Sequence, residues 1–151
     1  MNNKVLWISG SIAFLMLLSL LFVEDVIEVT YGDESFYIEG ESFEVGWIHS
    51  VEKEEWVEVY EVIDDELLLK ETRFKTFGAG VPSEGEIIPS TDGFVHMKVN
   101  QRMKELQLAV SENVQTTLYV SSEKIPLYDL TDNYEAVTIQ ITKRPIWSSK
   151  R

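Results

Sequence analysis

An all-β domain, an antiparallel β-sandwich or partly open barrel of about nine to ten short strands preceded by one N-terminal transmembrane helix, is the fold this sequence predicts. Three observations lead there. Beyond residue 23 the apolar residues recur with a period of two rather than 3.6. Turn-forming pairs divide the runs at Gly32-Asp33, Glu39-Gly40, Asp64-Asp65, Asp92-Gly93 and Asp132-Asn133. Ahead of all this, residues 5–23 form a run of nineteen without one charge.

That run approaches the roughly 20 apolar residues an α-helix needs to cross a bilayer. It is apolar all round, whereas a helix lying on a soluble domain keeps a polar face. Lys4 stands on one flank, Glu24 and Asp25 on the other. Positive charge stays in the cytoplasm, so the rest of the chain is expected outside the cell membrane as a single-pass protein. The run closes on Leu20-Leu21-Phe22-Val23 with no small-residue cleavage site, which favours an uncleaved anchor over a removable signal. The expected organisation is therefore an anchor over residues 1–23, an extracytoplasmic β-domain over 24–142 and a basic tail over 143–151.

Within the domain, Phe43, Val45 and Trp47 alternate with Glu44 and Gly46, and Val95, Met97 and Val99 with His96 and Lys98. Leu106, Leu108 and Val110 repeat the pattern, as do Val137, Ile139 and Ile141 against Thr138, Gln140 and Thr142. Further strands are expected over residues 26–31, 35–39, 56–63, 67–74, 116–120 and 124–130, with one helical turn over 100–104. No internal repeat and no second domain are visible.

Composition narrows the partners. The chain has no cysteine and a net charge of −13. Residues 24–66 hold 16 acids against one lysine, while residues 143–151 carry four bases and no acid. Nucleic acid is excluded as a partner, because phosphate binding needs a basic footprint. An acidic face of this kind chiefly keeps a domain soluble.

Two segments depart from plain strand-and-turn sequence. The first runs from Trp47 through His49, Ser50 and Trp56 to Tyr60 and reads as two strands joined by a polar loop. His49 shares parity with Phe43, Val45 and Trp47, and Glu58 with Trp56, Tyr60 and Val62. Glu58 is thus aimed at an aromatic face, where a carboxylate needs a partner; His49 and Arg73 are the natural candidates. The second segment carries Arg73, Lys75 and Phe77 into a loop with Gly78 and Gly80. Glycines free backbone N–H groups to form an anion-binding nest, and Arg73 and Lys75 would add charge for a small organic anion. An irregular loop closing the sheet is the plainer reading.

Catalytic and metal chemistry are poorly served. Neighbours on an extended strand point to opposite faces, so His49 and Ser50 do not form a base–nucleophile pair, and no nucleophile elbow is present. Two histidines without cysteine make a weak zinc set, and Asp64-Asp65-Glu66 lacks the spaced ligands of an EF-hand loop. The expectation is a binding protein rather than an enzyme, with no cofactor and no metal.

Trp47-Ile-His-Ser-Val-Glu-Lys53, Trp56-Val-Glu-Val-Tyr60 and Arg73-Phe-Lys-Thr-Phe-Gly-Ala-Gly-Val-Pro-Ser83 together resemble the small bacterial proteins grouped as domain of unknown function 1850, over about residues 26–141. The resemblance implies a hydrophobic N-terminal segment and no assigned activity. It also implies an association with TAXI-type TRAP transporters, which import small organic anions through an extracytoplasmic binding protein. On that basis the chain would be an accessory whose partner is the TRAP-type permease or its binding protein. His49, Ser50, Glu58, Arg73, Phe77, Gly78, Gly80 and Pro82 match the family motif, without assigned roles. A structural interaction module of the cell envelope, docking through its acidic face, is the alternative.

Overall fold

Two antiparallel sheets of unequal width share one core in the computed structural model, which describes Trp7–Ser9, Phe14 and residues 22–147. The strands are β1 (Val23–Tyr31), β2 (Glu34–Ile38), β3 (Ser42–Ile48), β4 (Glu55–Ile63), β5 (Glu66–Phe74), β6 (Glu86–Ile88), β7 (Val95–Met103), β8 (Glu105–Val110), β9 (Thr117–Val120), β10 (Glu123–Pro126) and β11 (Glu135–Pro145). A single 3-10 turn, Leu127–Asp129, precedes β11. The smaller sheet has the order β2-β1-β11-β8 and the larger β10-β9-β3-β4-β5-β7-β6; neither closes into a barrel. Short strands, β2, β6 and β10 among them, stand at the edges, which limits the row of unpaired backbone groups open to aggregation.

Alternation places the core. Ile27 and Val29 of β1 and Val137 and Ile139 of β11 point from the smaller sheet; Phe43, Val45, Tyr60, Leu67 and Leu118 meet them from the larger. Each such fully buried side chain contributes about 1.5–3 kcal/mol. Phe43 and Tyr60, opposite each other in the β3–β4 register, stack with ring centroids 5.1 Å apart.

One irregularity decides the placement of charge. The β5 register slips between Leu69 and Glu71, so the inward positions run Leu67, Leu69, Thr72 and Phe74. An unbroken alternation from Leu67 and Leu69 would turn Arg73 inward; the bulge sends it out. A single extra residue exchanges the two faces of everything beyond it. Its counterpart on β7 is Asn100, at φ 56°. The helical turn expected over residues 100–104 is therefore absent: β7 continues through this bulge to Met103.

Ten expected strands are present with ends shifted by a few residues, and β6 is an eleventh. Its three residues, Glu86–Ile88, are too short to show a period. The C-terminal boundary also moves. Lys143, Arg144 and Pro145, expected in a separate tail, complete β11 opposite Asp25, Glu24 and Val23. Acids facing bases hold them there: Arg144 Nη2 donates to Glu24 at 3.1 Å, lies 3.7 Å from Glu39, and the guanidinium sits 5.2 Å above the Tyr37 ring. The transmembrane helix expected over residues 1–23 falls almost entirely outside the described residues, as do residues 148–151. Among the described residues no helix is long and apolar enough to cross a membrane.

Candidate functional site

The β3–β4 register sets Trp47 directly opposite Trp56, and their indoles stack at 5.8 Å. Trp56 continues onto Phe74 at 5.1 Å, and Phe77 meets Phe74 edge-on at the same distance. Met97 and Val81 close this second apolar cluster. Between it and the smaller sheet opens a cleft of about 320 Å³, within the range of small-molecule sites. Trp47, Trp56 and Glu58 form its floor, Leu108 and Ala109 of β8 one wall, Val114 and Thr116 another, and His49, Ser50, Ala79 and Gly80 its rim.

Glu58 is the one carboxylate lining this cleft. Burial raises its carboxyl above the usual carboxylate range; a 2.5 Å hydrogen bond donated by the Tyr60 hydroxyl opposes the rise without cancelling it. Burial, reinforced by the Glu58 charge, pushes the Tyr60 phenol far up, so Tyr60 stays a donor. Two further polar atoms near Glu58 have no partner. Among the described residues these are Nε1 of Trp56, two positions before Glu58, and Oγ1 of Thr72, which pairs with Glu58 across β4 and β5. The floor thus combines an acceptor carboxyl with apolar ring faces.

β3 ends at Ile48, so His49 and Ser50 lie in the turn rather than on an extended strand, and both border the cleft. That removes the opposite-faces argument against pairing them, although no hydrogen bond joins the two. His49 stacks on Trp56 at 5.5 Å, and its Nδ1 contacts Glu52 Oε2, an atom with no hydrogen bond of its own. The amides of Val51 and Glu52 approach the same nitrogen at 3.4 Å. The carboxylate is much the nearest of these partners.

The glycine loop is already engaged with an anion from the same chain. Ala79 N–H donates to Glu52 Oε1 at 3.3 Å, and a side chain at Gly78 would collide with that carboxylate. Gly80, at φ +83°, adopts a left-handed conformation that only glycine holds without strain.

The predicted cationic arm lies elsewhere. Arg73 faces the outer surface of the larger sheet, donating to Glu71 at 2.7 Å and to Glu44 at 3.0 Å. Lys75 sits 3.7 Å from Glu55 and 5.1 Å above the Phe94 ring. His96, opposite Arg73, engages Glu71 with Nδ1 at 2.7 Å and Asp92 with Nε2 at 2.9 Å. Burial acts to raise the Glu71 carboxyl, but hydrogen bonds and charge from Arg73 and His96 outweigh it and hold Glu71 below its usual value. Among the described residues no group of three or more acids or histidines is arranged to hold a metal ion.

Of the residues singled out in the sequence, the structure brings His49, Glu58 and Gly80 to one cleft and leaves Arg73 outside it. His49, Ser50, Glu58 and Gly80 border the cleft, Phe77 and Gly78 buttress it, Arg73 lies across the sheet, and Lys75 stands at its end beside Glu55. Glu58 takes neither expected partner: the β5 bulge removes Arg73, and Glu52 occupies His49. Sequence reasoning missed Glu52, Leu108, Ala109, Val114 and Thr116. Glu52 stood inside a singled-out segment; the β8 and 111–116 residues carried no local signal.

Residues 43–127 match the profile described as Domain of unknown function (DUF1850), more than half of the chain. The chain belongs to this family. The DUF1850 match begins in β3 and ends at the 3-10 turn, narrower than the stretch expected from sequence, since it leaves out β1, β2 and β11. Every residue bordering the cleft falls inside it. No curated protein and no solved structure matches this DUF1850 chain.

Proposed function

We propose that this protein is a binding domain, exported and tethered by residues 1–23, whose cleft takes a small ligand with an apolar body and a cationic or hydrogen-bond-donating head. One observation carries this reading: Glu58 presents a carboxyl with no cation partner on a floor of stacked indoles. Aromatic faces and a desolvated carboxylate together recognise an ammonium group. The small organic anion expected from Arg73 and Lys75 is less well served, because Arg73 is engaged on the opposite face and Lys75 pairs with Glu55 outside the cleft. The family resemblance adds the accessory role at a TAXI-type TRAP importer, with the permease or its binding protein as partner.

Calorimetry on the full-length protein in detergent, with benzylamine and benzoate as a matched pair, tests the ligand class. Benzylamine is expected to bind and to lose at least tenfold in affinity, about 1.4 kcal/mol, in Glu58→Gln. Binding of benzoate that survives Glu58→Gln and disappears in Arg73→Met would reverse the assignment. A second reading draws on the Glu52–His49 pair beside Ser50, the composition of a hydrolytic triad. Covalent labelling of Ser50 by a fluorophosphonate, lost in His49→Gln, would support it; an unlabelled protein would remove it.

A further inference from the structure

The ends of β1 and β11 carry exposed apolar side chains that the cleft does not use. Val23 pairs with Pro145, and Ile146 N–H donates to the Phe22 carbonyl at 3.1 Å. These bonds hold the two chain ends side by side. Phe22, Val23, Ile146 and Trp147 are 62%, 42%, 56% and 63% exposed, although nearby Ile27 and Val26 are buried. The adjoining charges largely cancel: Arg144 with Glu24, and Lys143 with Asp25 at 3.9 Å. Lys150 and Arg151 follow in sequence.

We infer that this end of the domain is a second membrane contact, with Ile146 and Trp147 seated in the lipid interface beside the exit of the N-terminal segment. The inference rests on the reading of residues 1–23 as an anchor. The uncharged run ends at Val23, which is already the first residue of β1. No linker separates bilayer from strand, and β11 follows β1 to the same depth. Tryptophan with an apolar neighbour and a basic flank is the composition of an interfacial anchor. Paired carboxylates beside it are neutralised rather than repelled by headgroups. Two points of attachment, where an anchor alone would leave one, fix the tilt of the domain and hence the direction the cleft faces.

Because the chain has no cysteine, single spin labels report depth cleanly. Full-length protein is placed in phosphatidylcholine nanodiscs and labelled at Ser148→Cys, which keeps Trp147, with Leu17→Cys and Val51→Cys as references. Power saturation compares access to oxygen, which favours lipid, with access to a nickel chelate, which favours water. The expected result is a Ser148 label close to the Leu17 label in its preference for oxygen and severalfold above the Val51 label. Adding Trp147→Ser should return it toward the Val51 value. A Ser148 label as aqueous as Val51, with Leu17 in lipid, overturns the inference and leaves the anchor standing. A Leu17 label in water overturns both. Protection of Ser148 from both reagents at once would mean a protein contact, such as a second copy, and would also overturn it.

Discussion

Replacing Glu58 by glutamine should stabilise the protein at neutral and alkaline pH, an unusual outcome for a substitution in a partly buried site. The amide keeps the shape and still offers an oxygen to the Tyr60 hydroxyl, which donates to Glu58 at 2.5 Å. What it removes is a charge that no cation balances. Leaving such a group away from water costs about 1–3 kcal/mol. Glu58 keeps some exposure and one strong hydrogen bond, so a gain of about 1–2 kcal/mol is expected, equivalent to about 2–8 °C in Tm for a chain of this length. The sign follows from linkage. Burial raises the folded carboxyl above the ordinary 4.5, so the folded state holds this proton longer than the unfolded chain. The associated stability is complete below the unfolded value and is lost as pH rises through the folded one. Glu71, held below its ordinary value by Arg73 and His96, acts oppositely, losing its contribution as pH falls through the folded value. That loss is common to parent and variant and cancels in their difference. Thermal unfolding of both in detergent, followed by tryptophan fluorescence between pH 4 and pH 8, should give curves that coincide near pH 4 and separate above it. An equal gain at both extremes, or a loss at pH 8, would mean the carboxylate is balanced by charge and the ligand argument fails.

Three further substitutions separate the cleft from its surroundings. Arg73→Met should cost about 1 kcal/mol or less by unpairing Glu44 and leaving Glu71 to His96 alone on a half-exposed face, while calorimetry shows ligand affinity unchanged. Gly80→Ala should cost about 1–2 kcal/mol through its left-handed backbone alone, measured by denaturant unfolding, since no atom would meet the new Cβ. Trp56→Ala should cost about 3–5 kcal/mol by removing the ring that Trp47, His49 and Phe74 stack upon, and a loss under 1 kcal/mol in the same assay would show the column is not part of the core.

The strands were legible because burial on one face imposes a period of two, and that period is written residue by residue. Val137, Ile139 and Ile141 or Phe43, Val45 and Trp47 need no tertiary information to be read. The bulge beside Lys70 is different. Nothing in Leu67-Leu-Leu-Lys-Glu-Thr-Arg-Phe74 marks where the alternation slips, because the slip is settled by the register with β7, whose own defect is Asn100. The placement of Arg73 depended wholly on that slip. Glu58 was legible as inward-facing because β4 runs unbroken to it from Trp56, and His49 because it directly follows the last residue of β3. Their partners were not, since side-chain pairing depends on loop closure: Glu52 reaches back to His49 only because the turn folds over the ring. The cleft wall from β8 is a contact between sheets, invisible to any local pattern.

The register also orients the cleft. Leu108 pairs with Val137, and Val137 with Tyr31, so the cleft lies beside the end of β1 opposite Val23. β1 has nine residues, and eight steps of about 3.3 Å place its two ends up to about 26 Å apart. On the proposed anchor reading, with β1 standing upright where the N-terminal segment leaves the bilayer, Glu58 and the two indoles would lie at up to roughly that height above it. At that height the cleft would be more accessible to a soluble extracytoplasmic binding protein than to a permease confined to the bilayer. The accessory reading therefore favours one of its two partners, with ligand exchanged between binding protein and cleft above the membrane. A photo-crosslinking residue in place of Val51, exposed at the tip of the turn that carries His49, should capture the binding protein in intact cells, and one in place of Ile146 should not. Capture of the permease from position 51 would contradict the height argued from β1.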